Sequence, residues 1–242
     1  MTLGIPGRAA PGSAAPGRTA LTARISLSAL KVNLRAVLAT TRTGLIDLRA
    51  DAWGHGVEVV ARSAVSAGAD RLLIDEADAA ALAGIVDPAR LGLAGSSTSP
   101  EAVYGLTAGF EPVLSLRGRV LSLKSLKEGE GVSYGYTHRA AHDTRVALVT
   151  GGYAQGVVRA LGNAASVQIA GERHPIVGRV AMDVCVVDVG PGDHVQRGAE
   201  VVFFGGEGPT SPSLAEWSAA TGMTAAELVT AVGLRNAREY VR

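Results

Sequence analysis

The stretch Ile46-Asp47-Leu48-Arg49-Ala50-Asp51-Ala52-Trp53-Gly54-His55-Gly56 sets the architecture of this chain. An apolar run from Gly44 to Leu48 stops at a charged residue, breaks into a loop with two glycines, and resumes as the helical pattern Val57-Glu58-Val59-Val60-Ala61. That order predicts strand, loop, helix. In α/β proteins the helices cover the sides of the sheet and leave the carboxyl ends of the strands open, so ligands meet residues there. Arg49 is therefore expected at a ligand-facing rim.

Working outward, Leu27, Leu30, Val32, Leu34, Val37 and Leu38 fall near helical spacing. With Ser26 or Ser28 as a cap and Gly44 as a stop, they predict a helix over 27–42. On the other side the pattern predicts a helix over 57–67 ended by Gly68, a second strand over 71–74 and an alanine-rich helix over 75–83. A third strand over 91–94 and a helix over 100–108, with Pro100 in its first turn, follow. Strands alternating with helices in this way are parallel βα units joined by right-handed crossovers.

From Val113 the rhythm changes. Strands are predicted over 114–126, 132–134, 145–149, 167–170, 176–189 and 201–204, punctuated by glycines and prolines, with two short closing helices over 215–219 and 225–232. A complete (β/α)₈ barrel takes about 250 residues, but only about 90 lie between Thr22 and Glu111. The expected fold is thus α/β plus all-β, a partial, incomplete TIM-type βα barrel segment over 22–111 followed by a β-barrel-like domain over 112–242. An open parallel sheet leaves backbone groups unpaired at its edges, and the β domain, another chain or solvent has to cover them. Residues 1–21, rich in alanine, glycine and proline and without a sustained apolar core, are expected to be a disordered tail on a cytoplasmic protein.

Composition narrows the function classes. The chain has 242 residues, 47% hydrophobic and 19% charged, with a formal net charge of +1. That charge gives no field to attract nucleic acid, and no stretch reads as membranous. The single cysteine, Cys185, lies in an apolar strand-like run and reads as a small buried thiol. Among the histidines, His138 and His142 are four apart but follow a turn-like Gly135-Tyr136-Thr137, so no metal site is expected.

Leu48-Arg49-Ala50-Asp51-Ala52-Trp53-Gly54-His55-Gly56 resembles the V-K-A-D-A-Y-G-H-G signature of the alanine racemases, pyridoxal phosphate (PLP) enzymes with a barrel and a C-terminal β domain. The segments 112–116, 131–135, 151–156 and 175–183 follow one another as in the β domain of that family. The resemblance implies PLP-dependent interconversion of L- and D-alanine, supplying D-alanine for peptidoglycan, in a dimer whose sites draw residues from both subunits. It also implies roles by position. Arg49 stands where the signature lysine forms the Schiff base, and a guanidinium, protonated at any ordinary pH, serves neither as imine-forming amine nor as proton shuttle. Trp53 stands where a tyrosine lies near the cofactor phosphate, and Ala226 where a second tyrosine binds it. Tyr153 matches the second catalytic base, with Gln155 in place of the aspartate of G-Y-A-D-G. Met182 and Asp183 match the loop that reaches the substrate carboxylate across the dimer.

Two classes remain open on these residues. In the enzyme class, the chain acts on PLP and a small amino acid with parts supplied by a partner, as a homodimer or as a heterodimer with a full-length racemase. In the other, Arg49 marks a catalytically silent binding or regulatory subunit. Tyr153 reads as a base or as a tyrosine packed at a glycine-bounded turn. Met182 and Asp183 read as substrate contacts or as a core methionine and a turn-ending aspartate.

Overall fold

Alternation in Thr-Ala-Arg-Ile-Ser buries Ala23 and Ile25 and leaves the residues between them half-exposed, which makes β1 (Thr22–Ser26) the first strand. The computed structural model describes residues 21–242 apart from 42, 43, 96, 98, 207 and 209. The expected tail, Leu21 excepted, lies outside the described residues.

Ser26 caps the next element, α1 (Leu27–Thr40), by accepting a 3.1 Å hydrogen bond from the Ala29 amide. After it come β2 (Leu45–Asp47), a short turn of helix α2 (Arg49–Trp53), α3 (Val57–Ser66), β3 (Arg71–Leu73), β4 (Leu91–Gly92) and α4 (Pro100–Val103). The strands β2, β3 and β4 form a parallel three-stranded sheet in that order, the partial βα barrel segment read from the sequence.

Two of the predicted helices are much shorter than expected. Over 75–83 only a 3₁₀ turn at Glu76–Asp78 forms, because Leu82 alone is buried there and alanine propensity without an apolar face does not sustain so short a helix. The helix predicted over 100–108 stops at Val103: Gly105 turns at φ +68°, and a Cβ on it would lie 1.9 Å from the carbonyl oxygen of Glu111.

The second half consists of β5 (Leu114–Leu126), a small hairpin of β6 (Gly131–Val132) and β7 (His138–Arg139), then β8 (Thr144–Thr150), β9 (Ser166–Ile169), β10 (Glu172–Val177), β11 (Val184–Asp188) and β12 (Glu200–Phe204). Helices α5 (Leu214–Thr221) and α6 (Ala225–Arg235) and a last strand, β13 (Ala237–Val241), complete the chain. Antiparallel pairing runs β5-β8-β11-β10-β9-β12 and returns from β12 to β5, closing a barrel with no free edge. The single strand predicted over 176–189 is two, because the chain leaves the barrel between β10 and β11 and carries Arg179, Met182 and Asp183 out on a loop.

The halves are bound together by elements the hydrophobic pattern did not signal. β1 pairs antiparallel with β5 and parallel with β13, so the first and last strands lie side by side on the β domain. Asn33 of α1 is buried and fully engaged. Its amide nitrogen donates to the carbonyl of Glu111 at 2.8 Å, and its amide oxygen accepts from the Glu111 amide at 3.0 Å. One continuous apolar core runs from Leu30 and Leu34 of α1 through Ile46 and Leu72 of the parallel sheet to Leu116, Val149 and Phe203 of the barrel. Side chains also finish the β2 edge: Ser97 Oγ donates to the Leu45 carbonyl at 2.9 Å and Tyr104 Oη to the Asp47 carbonyl at 2.7 Å. Among the described residues, no helix is long and apolar enough to cross a membrane.

Candidate functional site

The loop after β2 is where an α/β sheet presents ligands, and here it winds the wrong way for L-residues. Ala50, Asp51 and Ala52 have φ of 52–56° and ψ of 46–52°, and Trp53 follows at φ 53°, a turn of left-handed helix. Each such residue costs roughly 1–2 kcal/mol, so neighbours have to hold it. Within the turn, the amides of Gly54 and Gly56 donate to the carbonyls of Ala50 and Asp51 at 2.9 Å. From outside, Asp75 accepts the Ala50 amide at 2.7 Å, Asp51 accepts the Val57 amide at 2.8 Å, and Tyr240 of β13 donates to the His55 carbonyl at 3.1 Å. Arg238 of β13 pairs with the Asp51 carboxylate. Gly54 lies against Gly233 of α6, where a Cβ on Gly233 would sit 2.2 Å from the Gly54 oxygen.

Arg49 folds back onto the strand it leaves. Its Nε and Nη2 donate to the two oxygens of Asp47 at 3.0 and 2.6 Å, and its own amide donates to Asp47 at 3.0 Å. The Asp47 side chain is 3% exposed and that of Arg49 48%. This hydrogen bonding raises the guanidinium pKa further above its ordinary value, so the side chain is a fixed cation with no lone pair to offer. Trp53 stacks on Tyr104, ring centroids 5.2 Å apart, and His55 stacks on the same ring at 4.5 Å. His55 is fully buried, its Nδ1 3.0 Å from the carbonyls of Ala52 and Trp53, and burial pulls its pKa down to about 4.

Tyr153 and Met182 belong to a second locus. They line a cavity of about 520 Å³ together with Tyr134, Arg159, Arg179 and Asp183, and neither Arg49 nor Trp53 lines it. Two segments build this locus: Tyr153 and Ala154 donate their amides to the carbonyls of Ala181 and Met182 at 3.0 Å, and Gln155 donates to Asp183 at 2.9 Å. The Arg159 guanidinium lies over the Tyr153 ring, 4.4 Å from its centroid, a cation–π contact. Met182 is 55% exposed and Tyr134 77%. Met182 fills no core; it points outward.

The residues expected to face PLP do not fit it. No amine stands at position 49, and the indole of Trp53 is engaged in a stack. Ala226 lies in the first turn of α6, whose amino end is closed by the chain itself: the Thr224 amide donates to Glu227 Oε2 at 2.7 Å and the Glu227 amide to Thr224 Oγ1 at 3.2 Å. A carboxylate at that end opposes a phosphate there. Cys185, buried with its thiol pushed up to about 12, is the inert core cysteine expected.

Sequence reading did not find Tyr104, which joins β2, Trp53 and His55, nor the Arg238 and Tyr240 clasp. It also did not pair His174 with His194, which stack at 5.6 Å. These partners lie far apart in the chain, and no short motif records them.

A parallel βα segment with a left-handed turn after β2 is thus fastened to a closed β barrel, a partial barrel coupled to a β domain. The family model for the alanine racemase C-terminal domain matches residues 113–240, and the chain belongs to the alanine racemase family. It is 42% identical over 147 residues to the alanine racemase of Mycobacterium leprae, a match covering 57% of this chain and 38% of that protein. The chain thus spans well under half the length of the curated relatives it matches. The solved alanine racemase from Streptomyces coelicolor A3(2) superposes with a TM-score of 0.79 at 22% identity, covering 92% of this chain and 98% of that one. That from Bartonella henselae, solved with covalently bound pyridoxal phosphate, gives 0.75 at 17% identity, covering 93% and 100%. At these identities the structures share the fold.

Proposed function

We propose that this chain is an alanine racemase relative that keeps the family's fold but does not interconvert L- and D-alanine on its own. The observation that carries this reading is the fork between Arg49 and the buried Asp47. At the position where the signature has its imine-forming lysine, the side chain is a cation locked to a carboxylate. Removing and returning a Cα proton needs a group on each face and an electron sink. Tyr153 supplies one face at most, and Arg49 is not among the residues lining its cavity. The division into a shortened barrel over 22–111 and a β domain over 112–242, and a cytoplasmic location, belong to the same reading.

The test is direct. Purified protein with L-alanine and added PLP is expected to form no D-alanine and to gain none of the visible absorbance of a lysine imine, with or without Arg49→Lys. Appearance of D-alanine from the wild-type chain overturns the proposal.

A second reading is favoured by the exposure of Met182 and Tyr134 around the Tyr153 cavity. The chain dimerises, with itself or with a full-length racemase, and lends Tyr153 and Met182 to the partner's small-amino-acid site. Tyr153→Phe is then expected to lower activity in the heterodimer only; unchanged heterodimer activity rules this out.

A further inference from the structure

We infer that Glu172, His174 and His194, which lie outside the family motifs, form a site for a divalent transition-metal ion on the flank of the β barrel. Glu172 and His174 are two apart on β10 and so project to the same side of the strand. His194 comes from the connection between β11 and β12 and lays its ring over that of His174, centroids 5.6 Å apart and planes within 21°. One potential ligand atom from each of the three lies within 4.8 Å of the others, and His194 Nε2 is 3.4 Å from Glu172 Oε2.

The second observation is the state of His174. It is 6% exposed, and its Nε2 is buried without a hydrogen-bond partner. With its proton on Nδ1, such a ring keeps a lone pair on the bare nitrogen, which a metal ion can take. A buried nitrogen left without a partner costs free energy that a metal bond would recover.

Two imidazoles and one carboxylate suit Zn²⁺ and its neighbours in the first transition row better than Mg²⁺ or Ca²⁺, which take all-oxygen shells. Bonds of about 2.0–2.2 Å bring such ligands to roughly 3.3 Å from one another. The present spread is therefore closed by small movements of Glu172 and His194, both exposed, toward the fixed His174. The adjacent cations are committed elsewhere, Arg173 to Glu216 of α5 and Arg145 to Asp193. The bound ion would tie the β11–β12 connection to β10, and water would complete its shell.

The experiment uses the whole chain after treatment with a chelator. Zn²⁺ titrated calorimetrically is expected to bind one ion per chain, and Co²⁺ at the same site to give visible d–d absorption bands. His194→Ala and Glu172→Gln, both surface substitutions, are expected to keep the metal-free melting temperature. Each should weaken Zn²⁺ binding at least as much as loss of an outer-shell partner does, about 10–100-fold, and His194→Ala should abolish the Co²⁺ bands. His174→Gln should behave alike if it folds, but the surface variants decide the matter without it. No Zn²⁺ uptake, or uptake unchanged in the double variant His194→Ala, Glu172→Gln, overturns the proposal.

Discussion

Tyr104 donates its phenol proton to the backbone carbonyl of Asp47 across 2.7 Å, so that a side chain finishes the edge of β2 where another strand of a complete barrel would pair. The ring is fully buried and its phenol is held well above its ordinary pKa by that burial, so the hydroxyl stays a donor. Tyr104→Phe keeps the stacks with Trp53 and His55 but leaves the carbonyl unpaired. The expected loss is about 1–3 kcal/mol, read as a shifted midpoint in urea with an unchanged slope. A variant as stable as wild type shows the edge to be satisfied otherwise.

The Arg49 fork has a structural role apart from chemistry. Asp47 is buried, and Arg49→Ala strands its charge, with an expected cost on the order of 1.5–3 kcal/mol. Asp47→Asn in the Arg49→Ala background should recover part of that loss, a coupling that a double-mutant cycle measures directly. Purely additive losses would mean that the pair contributes nothing beyond its separate parts.

His55 gives the protein an acid-side weakness. Its pKa of about 4 in the fold lies below the ordinary 6.5, so the unfolded chain binds the proton first. Stability from this group is complete above pH 6.5 and falls as pH drops from there toward 4. At about 1.4 kcal/mol per unit the loss is on the order of 3 kcal/mol. Melting temperatures measured at half-unit steps should decline across that window, and His55→Gln, though less stable throughout, should flatten the decline. An equally steep decline in the variant would assign it to other groups.

Gly233 is expected to tolerate no side chain. Alanine there places its Cβ 2.2 Å from the Gly54 oxygen, and the approach is backbone to backbone, with no flexible side chain to yield. Overpacking of this kind costs typically about 1–3 kcal/mol. Because the left-handed turn depends on this contact, proteolysis within 49–56 should speed up in Gly233→Ala; unchanged cleavage would uncouple the turn from α6.

Much of this was legible in the residues themselves. The strand, loop and helix around Arg49, the parallel order of β2, β3 and β4, and the full length of β5 all follow from hydrophobic period and turn residues. The two predicted helices that fall short do so for different reasons: over 75–83 alanine propensity has no apolar face to bury, and over 100–108 the chain turns at Gly105 against Glu111. β1 and β13 were missed because each is short and half-exposed, and their stability comes from pairing across 215 positions, as in Thr22 with Ala237. The left-handed turn has no local signal, since its residues are ones that ordinarily avoid that region. The clustering of His174 with His194 is equally invisible, because barrel closure rather than spacing brings them together.

The parallel seam of β1 with β13 sets the order in which the molecule can be made. The segment that holds α1, the left-handed turn and the βα layer emerges during synthesis long before Ala237–Val241, and until that strand arrives Arg238 and Tyr240 cannot grip Asp51 and His55. So distant a partnership is paid for in loop-closure entropy and slows folding. The nascent chain therefore carries an unclasped loop, and a release that removes the last strand would return both termini of the fold to that immature condition at once.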